Sequence, residues 1–193
     1  MSRLTRLGVD TLPADRLFVN YTKAPTHPDQ ILKLIARVPT GRKVLAEFLT
    51  LYRSGRVTLQ PYESGLLARL REALGEGQPV GACFVNDGQA GKIHYDPSAP
   101  LGVLAPFLLH EMVHALDASL WEASKSRQTR RSRDRLMLEA ETRAFGLQHC
   151  FVQEMREADP LFNDFIVHEQ SRVRVLHEKL TRQDISNLYG FEH

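Results

Sequence analysis

The sequence predicts an α+β fold that is mostly helical, with a small sheet of about three strands. Apolar residues recur at helical spacing in several segments, three short segments between residues 56 and 95 have strand character, and clusters of Gly, Pro and Asn separate them. A chain of 193 residues has the size of one domain. We therefore expect a single domain over 1–193, with a sheet-bearing N-terminal part over about 1–105 and a helical C-terminal part over about 106–193.

The N-terminal part is predicted to begin with an irregular segment, because three prolines lie within its first 28 residues. Asp29 then begins a short helix over 29–38, which Pro39 stops. Thr40 caps a second helix, and Gly55 ends it. The further elements predicted here are a strand over 56–60, a helix over 64–74, and strands over 80–85 and 92–95, which form a hairpin through the turn sequence Asn86–Gly91.

The C-terminal part is predicted to begin with a helix over Leu108–Trp121. It is followed by a charged run over 125–135, KSRQTRRSRDR, which we interpret as a solvated linker. A basic loop that recruits nucleic acid or an acidic substrate segment is the alternative. The remaining predicted elements are a helix over 136–155, a break at Asp159-Pro160, a helix over 164–180, and a short helix over 183–189 that Gly190 ends.

The first of these helices carries the motif His110-Glu111-Met112-Val113-His114. Residues four apart lie one above the other on a helix. The two imidazoles can therefore bind one zinc ion, and Glu111 can reach a water molecule bound to it. A core helix with two incidental histidines is the alternative interpretation.

Two distinct faces of this predicted helix favour the zinc site. At about 100° per residue, His110, His114, Asp117 and Trp121 share one face, with Glu111 at its border. The opposite face would pack against the core, and it consists of Leu109, Met112, Val113, Leu116 and Leu120.

A zinc site needs a third protein ligand and an open position for water. Glu141 lies beside an apolar stripe of the next predicted helix, where a carboxylate is costly unless it is paired or binds metal. Glu141 is therefore the preferred third ligand, with an ordinary exposed glutamate as the alternative. Glu139 and His149 are the other candidates, although His149 faces away from the stripe. The stripe consists of Met137, Ala140, Ala144, Leu147, Phe151 and Met155.

The sequence HEMVHALD, followed by Glu141-Thr142-Arg143-Ala144, resembles the gluzincin clan of zinc metallopeptidases. This clan combines HExxH with a later ExxA-type glutamate. The resemblance implies a zincin-like fold and one zinc ion per chain, bound by His110, His114 and Glu141, with Glu111 as the general base. The glycine and third histidine of the metzincin pattern are absent after His114.

A looser resemblance concerns the segment Ile35–Arg42, IARVPTGR, together with Leu45 and HEMVHA. These residues resemble the NleD-type effector metallopeptidases of bacterial pathogens, and other small bacterial gluzincins are equally compatible. The effector family implies delivery into a host cell and cleavage of a host protein. In zincins the strand before the active-site helix is an edge strand that holds the substrate, which would give Ile93–Tyr95 this role; an ordinary hairpin is the alternative.

Gluzincins often stabilise the oxyanion with a Tyr, His or Arg placed after the metal ligands. The candidates here are Tyr189, His177 and His168, and we favour Tyr189 as a catalytic residue because Asn187–Gly190 resembles a turn that returns to the cleft. A tyrosine that only packs near the terminus is the alternative. Asp117 is either a carboxylate that orients one of the motif histidines or a solvated helix residue.

The composition restricts the partners that we expect. The net charge of +2 is nearly balanced, which argues against nucleic acid and membrane partners. The two cysteines, Cys83 and Cys150, are interpreted as thiols of a reducing compartment. With no Sec signal peptide, we expect a bacterial cytoplasmic protein, or an effector secreted without a cleaved signal.

The function predicted from these features is zinc-dependent hydrolysis of a peptide bond in a protein or peptide substrate, with Glu111 as general base. Two alternatives belong to other classes of protein. The first is a non-catalytic binding protein that retains a zinc-site helix. The second is a nucleic-acid-binding domain that uses the basic residues of 125–135.

Overall fold

The computed structural model describes residues 19–74, 80–125, 128–169, 176 and 178–191. Within these ranges the fold is mostly helical with one small sheet, as predicted. The helices are α1 (Pro28–Ile35), α2 (Pro39–Arg53), α3 (Ser64–Leu74), α4 (Leu101–Leu116), α5 (Ala118–Lys125), α6 (Arg130–Ala158), α7 (Pro160–His168) and α8 (Arg182–Tyr189), and the strands are β1 (Val57–Pro61), β2 (Ala82–Asn86) and β3 (Gly91–Tyr95).

The sheet has the strand order β1–β3–β2. β2 and β3 form the predicted antiparallel hairpin, while β1 pairs with β3 in parallel. β3 is therefore hydrogen-bonded along both sides, and the prediction that Ile93–Tyr95 forms a free edge is wrong. The reason is the long-range pairing of β1 with β3, which leaves β2 as the edge strand beside α4.

α4 lies at the centre of the core and packs against α1, α2, α6 and the sheet. All its residues are buried except Phe107, Glu111 and Leu116, which are partly buried. Burial of one large apolar side chain contributes about 1.5–3 kcal/mol. The apolar packing of α4 can therefore offset the cost of placing two histidines in the interior. No single helix among the described residues is long and apolar enough to span a membrane, although α4 and α5 pass that test together across a 63° bend.

The helix predicted over 108–121 differs from the observed one at both ends. α4 begins at Leu101, and it stops at Leu116 because Asp117 is extended, with φ −79° and ψ 101°. The Asp117 carboxylate accepts hydrogen bonds from the backbone N–H and the hydroxyl of Ser119, which competes with continuation of the helix and caps α5. Trp121 consequently leaves the histidine face, and its indole N–H donates to the Ala115 carbonyl at 2.8 Å.

The long helix α6 includes half of the charged run that was predicted as a linker. Thr129 caps α6 by accepting from the Ser132 N–H, and helical ion pairs at i and i+4 then support the exposed first turns. α7 begins at Pro160 rather than at residue 164 and ends at His168. The rest of the helix predicted over 164–180 lies largely outside the described residues, as do residues 1–18 of the irregular N-terminal segment.

Candidate metal centre

His110, His114 and Glu141, the three predicted ligands, meet in the interior. Helical spacing places His110 one turn before His114, and their Nε2 atoms are 3.0 Å apart. α6 packs along α4 and places Glu141 Oε2 3.1 Å from His110 Nε2, and Glu141 Oε1 3.3 Å from His114 Nε2. All three residues are buried, with at most 6% of their area exposed. Within the described residues they form a group that could hold a metal ion.

The separations of these donor atoms fit a common ion. Ligands at 2.0–2.1 Å from a tetrahedral ion lie about 3.3 Å from one another, close to the observed distances of 3.0 to 3.3 Å. Two imidazole nitrogens that face each other form at most one hydrogen bond, since only one of them can donate. A cation between them would use both lone pairs, and a carboxylate would balance part of its charge.

The protonation states of the group follow from its burial and its internal hydrogen bonds. Burial raises the pKa of Glu141, but hydrogen bonds to His110 and His114 outweigh this effect and lower the pKa to about 2. Burial acts to lower the pKa of His114, whereas its bond to Glu141 raises the pKa above the ordinary value of 6.5. In the absence of metal, both shifts favour an ion pair between the Glu141 carboxylate and the His114 imidazolium.

Glu111 lies beside the triad and connects α4 with β2. Its Oε2 accepts a hydrogen bond of 2.8 Å from the backbone N–H of Phe84. The carboxylate keeps some exposure at the cleft, but the protein atoms around it raise its pKa by desolvation, while His110 and His114 partly oppose this rise. A carboxylate with a raised pKa is suited to accept and then release a proton near neutral pH.

Asp117 fits neither of its two interpretations, because it hydrogen-bonds neither histidine ring and is buried. Its two oxygens bind Ser119 and Arg143. Neither Nδ1 atom has a hydrogen-bond partner among the described residues. The ring of Phe145 instead packs edge-on against His110, with centroids 4.5 Å apart. Packing against Phe145, without a hydrogen bond at Nδ1, therefore adds to the Nε2 contacts that hold the His110 ring, and metal-binding histidines usually donate from the second nitrogen instead.

Tyr189, at the end of α8, reaches the triad. Burial of its hydroxyl, together with the nearby Glu141 and Glu111 carboxylates, raises the pKa of Tyr189. The rest of the ring is half-exposed. The other oxyanion candidates are His168, whose side chain is 83% exposed, and His177, which lies outside the described residues.

The remaining candidates do not join the group. Glu139 is exposed and accepts from Arg135 at 3.2 Å, and His149 is not among the residues that could share the ion. Cys83 and Cys150 are free thiols. Burial and the charges of Glu111 and Glu141 raise the pKa of Cys83 to about 11, so this thiol stays protonated at neutral pH. A protonated thiol binds metal only weakly.

Sequence reasoning missed two contributors to the site. Phe84 acts through its backbone N–H, for which the sequence carries no side-chain signal. Phe145 lies one turn after Glu141 and therefore shares its helical face, a spacing that could have identified it.

No protein-family model, curated protein or solved structure matches this chain. The fold and the site together define an α+β protein with a buried His-His-Glu group that could hold a metal ion.

Proposed function

We propose that the protein is a zinc-dependent endopeptidase with its active site at the His110–His114–Glu141 group. The observation that carries this proposal is the convergence of the three ligand side chains, with donor atoms 3.0 to 3.3 Å apart, beside the carboxylate of Glu111. Two histidines and one carboxylate form a ligand set typical of catalytic zinc, which leaves a position open for water. A bound zinc ion would polarise the scissile carbonyl and lower the pKa of that water.

Glu111 is the proposed general base. It takes a proton from the attacking water and later passes it to the leaving amine. Its raised pKa supports both steps. The carboxylate accepts a proton more readily, and the protonated form persists until it can donate to the amine. The Phe84 N–H holds one carboxylate oxygen at 2.8 Å and leaves the other available to the water.

β2 is proposed to bind the substrate backbone. The Phe84 N–H points away from β3, toward Glu111. Because alternate residues of a strand point their N–H and C=O groups to the same side, Ala82, Phe84 and Asn86 present backbone groups at the free edge. An extended peptide could add there as a further strand, next to the general base.

Tyr189 is the proposed donor to the oxyanion. Its hydroxyl lies near the carboxylates of Glu141 and Glu111, beside the place where the carbonyl oxygen of a bound substrate would develop charge. In this assignment α8, which packs on α6, brings Tyr189 to the metal centre.

Delivery into a host cell and cleavage of a host protein remain part of the prediction from sequence resemblance. The residues that carry it outside HEMVHA, Ile35–Arg42, form the junction of α1 and α2, and Ile35 and Val38 are buried there. Their position supports a role in folding and carries no information on the substrate.

Hydrolysis of a peptide library by the wild type and by Glu111→Gln tests the enzymatic proposal. We expect the wild type to cleave and the variant to bind zinc without measurable cleavage, because an amide cannot accept the proton. Glu139→Gln, on the exposed side of α6, is the matched control and should cleave normally. Cleavage by Glu111→Gln would overturn the assigned base, and zinc binding without cleavage by the wild type would favour a non-catalytic binding protein.

A further inference from the structure

We propose that Arg143 is a positioning residue of the metal centre, which acts through Asp117. The inference rests on the proposed metal site and deepens it. Arg143 lies on α6, two residues after Glu141, and Asp117 lies three residues after His114, at the end of α4. Their ion pair, with Nη1 and Oδ2 2.8 Å apart, joins the two ligand-bearing helices immediately beside the ligands.

Asp117 is the buried partner of this pair. Only 6% of its side chain is exposed, compared with 53% for Arg143. A buried carboxylate requires compensation for its charge. The Arg143 guanidinium provides this compensation at 2.8 Å while the rest of its side chain stays in solvent. The arginine thus links α6 to the end of α4. If the two helices moved apart there, the Asp117 carboxylate would lose its partner or become exposed.

The two oxygens of Asp117 have separate tasks. Oδ1 accepts from the backbone N–H of Ser119 at 3.0 Å and from its hydroxyl, which caps α5. Oδ2 accepts from Arg143. The capping role and the connection to α6 are therefore separable by mutation, since an asparagine keeps one oxygen acceptor for the cap but loses the charge that attracts Arg143.

The position of the pair matters because metal sites tolerate ligand displacements of only about 0.2 Å. His110 and His114 are fixed relative to each other by one helix, whereas Glu141 depends on how α6 packs against α4. A sliding of α6 by one residue would move Glu141 by about 1.5 Å. The Asp117–Arg143 pair lies within one turn of both His114 and Glu141 and restrains this sliding where the restraint is most effective.

The test measures zinc affinity by competition with a chromophoric chelator, and the visible absorption spectrum of the Co²⁺-substituted protein. The variants are Arg143→Met, Asp117→Asn and the double variant, with Arg135→Met as a matched control. Arg135 lies on the same helix and also forms an ion pair, with Glu139, but away from the ligands. Thermal unfolding of the metal-free proteins records any general loss of stability.

We expect each single variant to bind zinc roughly 10- to 100-fold more weakly, the range typical of groups that orient metal ligands. The double variant should resemble the singles, because both remove the same connection. The Co²⁺ spectrum should change in all three, and Arg143→Lys should recover part of the zinc affinity. Arg135→Met should match the wild type.

Wild-type zinc affinity and an unchanged Co²⁺ spectrum in Arg143→Met would overturn the positioning role, even if the metal-free protein unfolds at a lower temperature. Losses that multiply in the double variant would also overturn it. These outcomes differ from failure of the proposed metal site, in which the wild type itself would bind no zinc, and from failure of the peptidase function, in which the wild type would bind zinc and cleave no peptide.

Discussion

Two clusters of charged and polar side chains in this protein differ in how fully their hydrogen-bonding groups are paired with one another. In the first, the Tyr21 hydroxyl donates to Asp159 Oδ2 and accepts from Arg37. Arg37 also donates to Asp159 Oδ2, at 2.9 Å. Asp159 Oδ1 accepts from the backbone of Leu161. In the second, the group of His110, His114 and Glu141, two imidazole nitrogens face each other at 3.0 Å.

The difference indicates which cluster is complete without a ligand. In the first cluster the Tyr21 hydroxyl and both oxygens of Asp159 have hydrogen-bond partners, and the cluster connects the start of the described chain to the junction of α6 and α7. The histidine group leaves both Nδ1 atoms without partners among the described residues and places two potential acceptors together. Two imidazole nitrogens that face each other can form at most one hydrogen bond, and a shared cation would use both lone pairs, so the Nε2 pair favours a role in binding an ion.

Each cluster has a tyrosine near a carboxylate, Tyr21 near Asp159 and Tyr189 near Glu141, which permits a paired test. Tyr189→Phe should reduce kcat about 10²- to 10³-fold, because it removes one proposed oxyanion donor. Zinc affinity should remain within a few-fold of the wild type, since Tyr189 is not among the three ligands. Steady-state kinetics on any cleaved peptide provides the measurement. An unchanged kcat would contradict the catalytic role and indicate that Tyr189 only packs.

Tyr21→Phe should have the reverse profile. The Tyr21 ring is buried and its hydroxyl bonds an ionised carboxylate, so we expect a loss of about 2 kcal/mol in the free energy of unfolding. The metal centre lies elsewhere, and zinc affinity and kcat should not change. Denaturant unfolding with and without zinc would measure this, and a coupled loss of zinc affinity would show that the two clusters are not independent.

The smallest expected effect is on the pH dependence of the metal-free protein. The pKa of Glu141 is lowered from 4.5 to about 2, so its contribution is present above 4.5 and is lost as the pH falls toward 2. The pKa of His114 is raised, so its contribution is present below 6.5 and is lost as the pH rises through the raised value. The pair therefore stabilises most between pH 4.5 and 6.5.

Unfolding in urea with a chelator, at a series of pH values, would measure this profile. Glu141→Gln should flatten it on both sides, because it removes the pairing partner of His114. An unaltered profile in that variant would contradict the ion pair.

The parts of the site that depend on helical spacing were predictable from the sequence. The separation of His110 and His114 follows from one turn of helix. Glu141 was placed at the edge of an apolar stripe that α6 buries except at Met137 and Leu147, which are partly buried. The break at Asp117 was not predicted, although Asp117-Ala118-Ser119 contains a capping signal. Local periodicity alone does not decide whether such a residue caps a new helix or continues the old one.

Long-range pairings account for the other differences. The sequence indicated three strands, but whether β3 or β2 forms the edge depends on the pairing of β1 with β3, between residues more than 30 positions apart. The hydrogen bond from Phe84 to Glu111 follows from that arrangement and uses a backbone group. The same applies to the Asp117–Arg143 pair, since the sequence does not specify which of its many arginines a buried aspartate will meet.

The most direct test of the metal centre is the zinc content of the purified protein by elemental analysis, for the wild type, Glu141→Ala and the control Glu139→Ala. We expect one zinc per chain in the wild type and in the control, and its loss or marked weakening in Glu141→Ala, since that variant removes one of three ligands. Absence of zinc from the wild type after incubation with the metal would contradict the proposed site, as would full zinc content in Glu141→Ala.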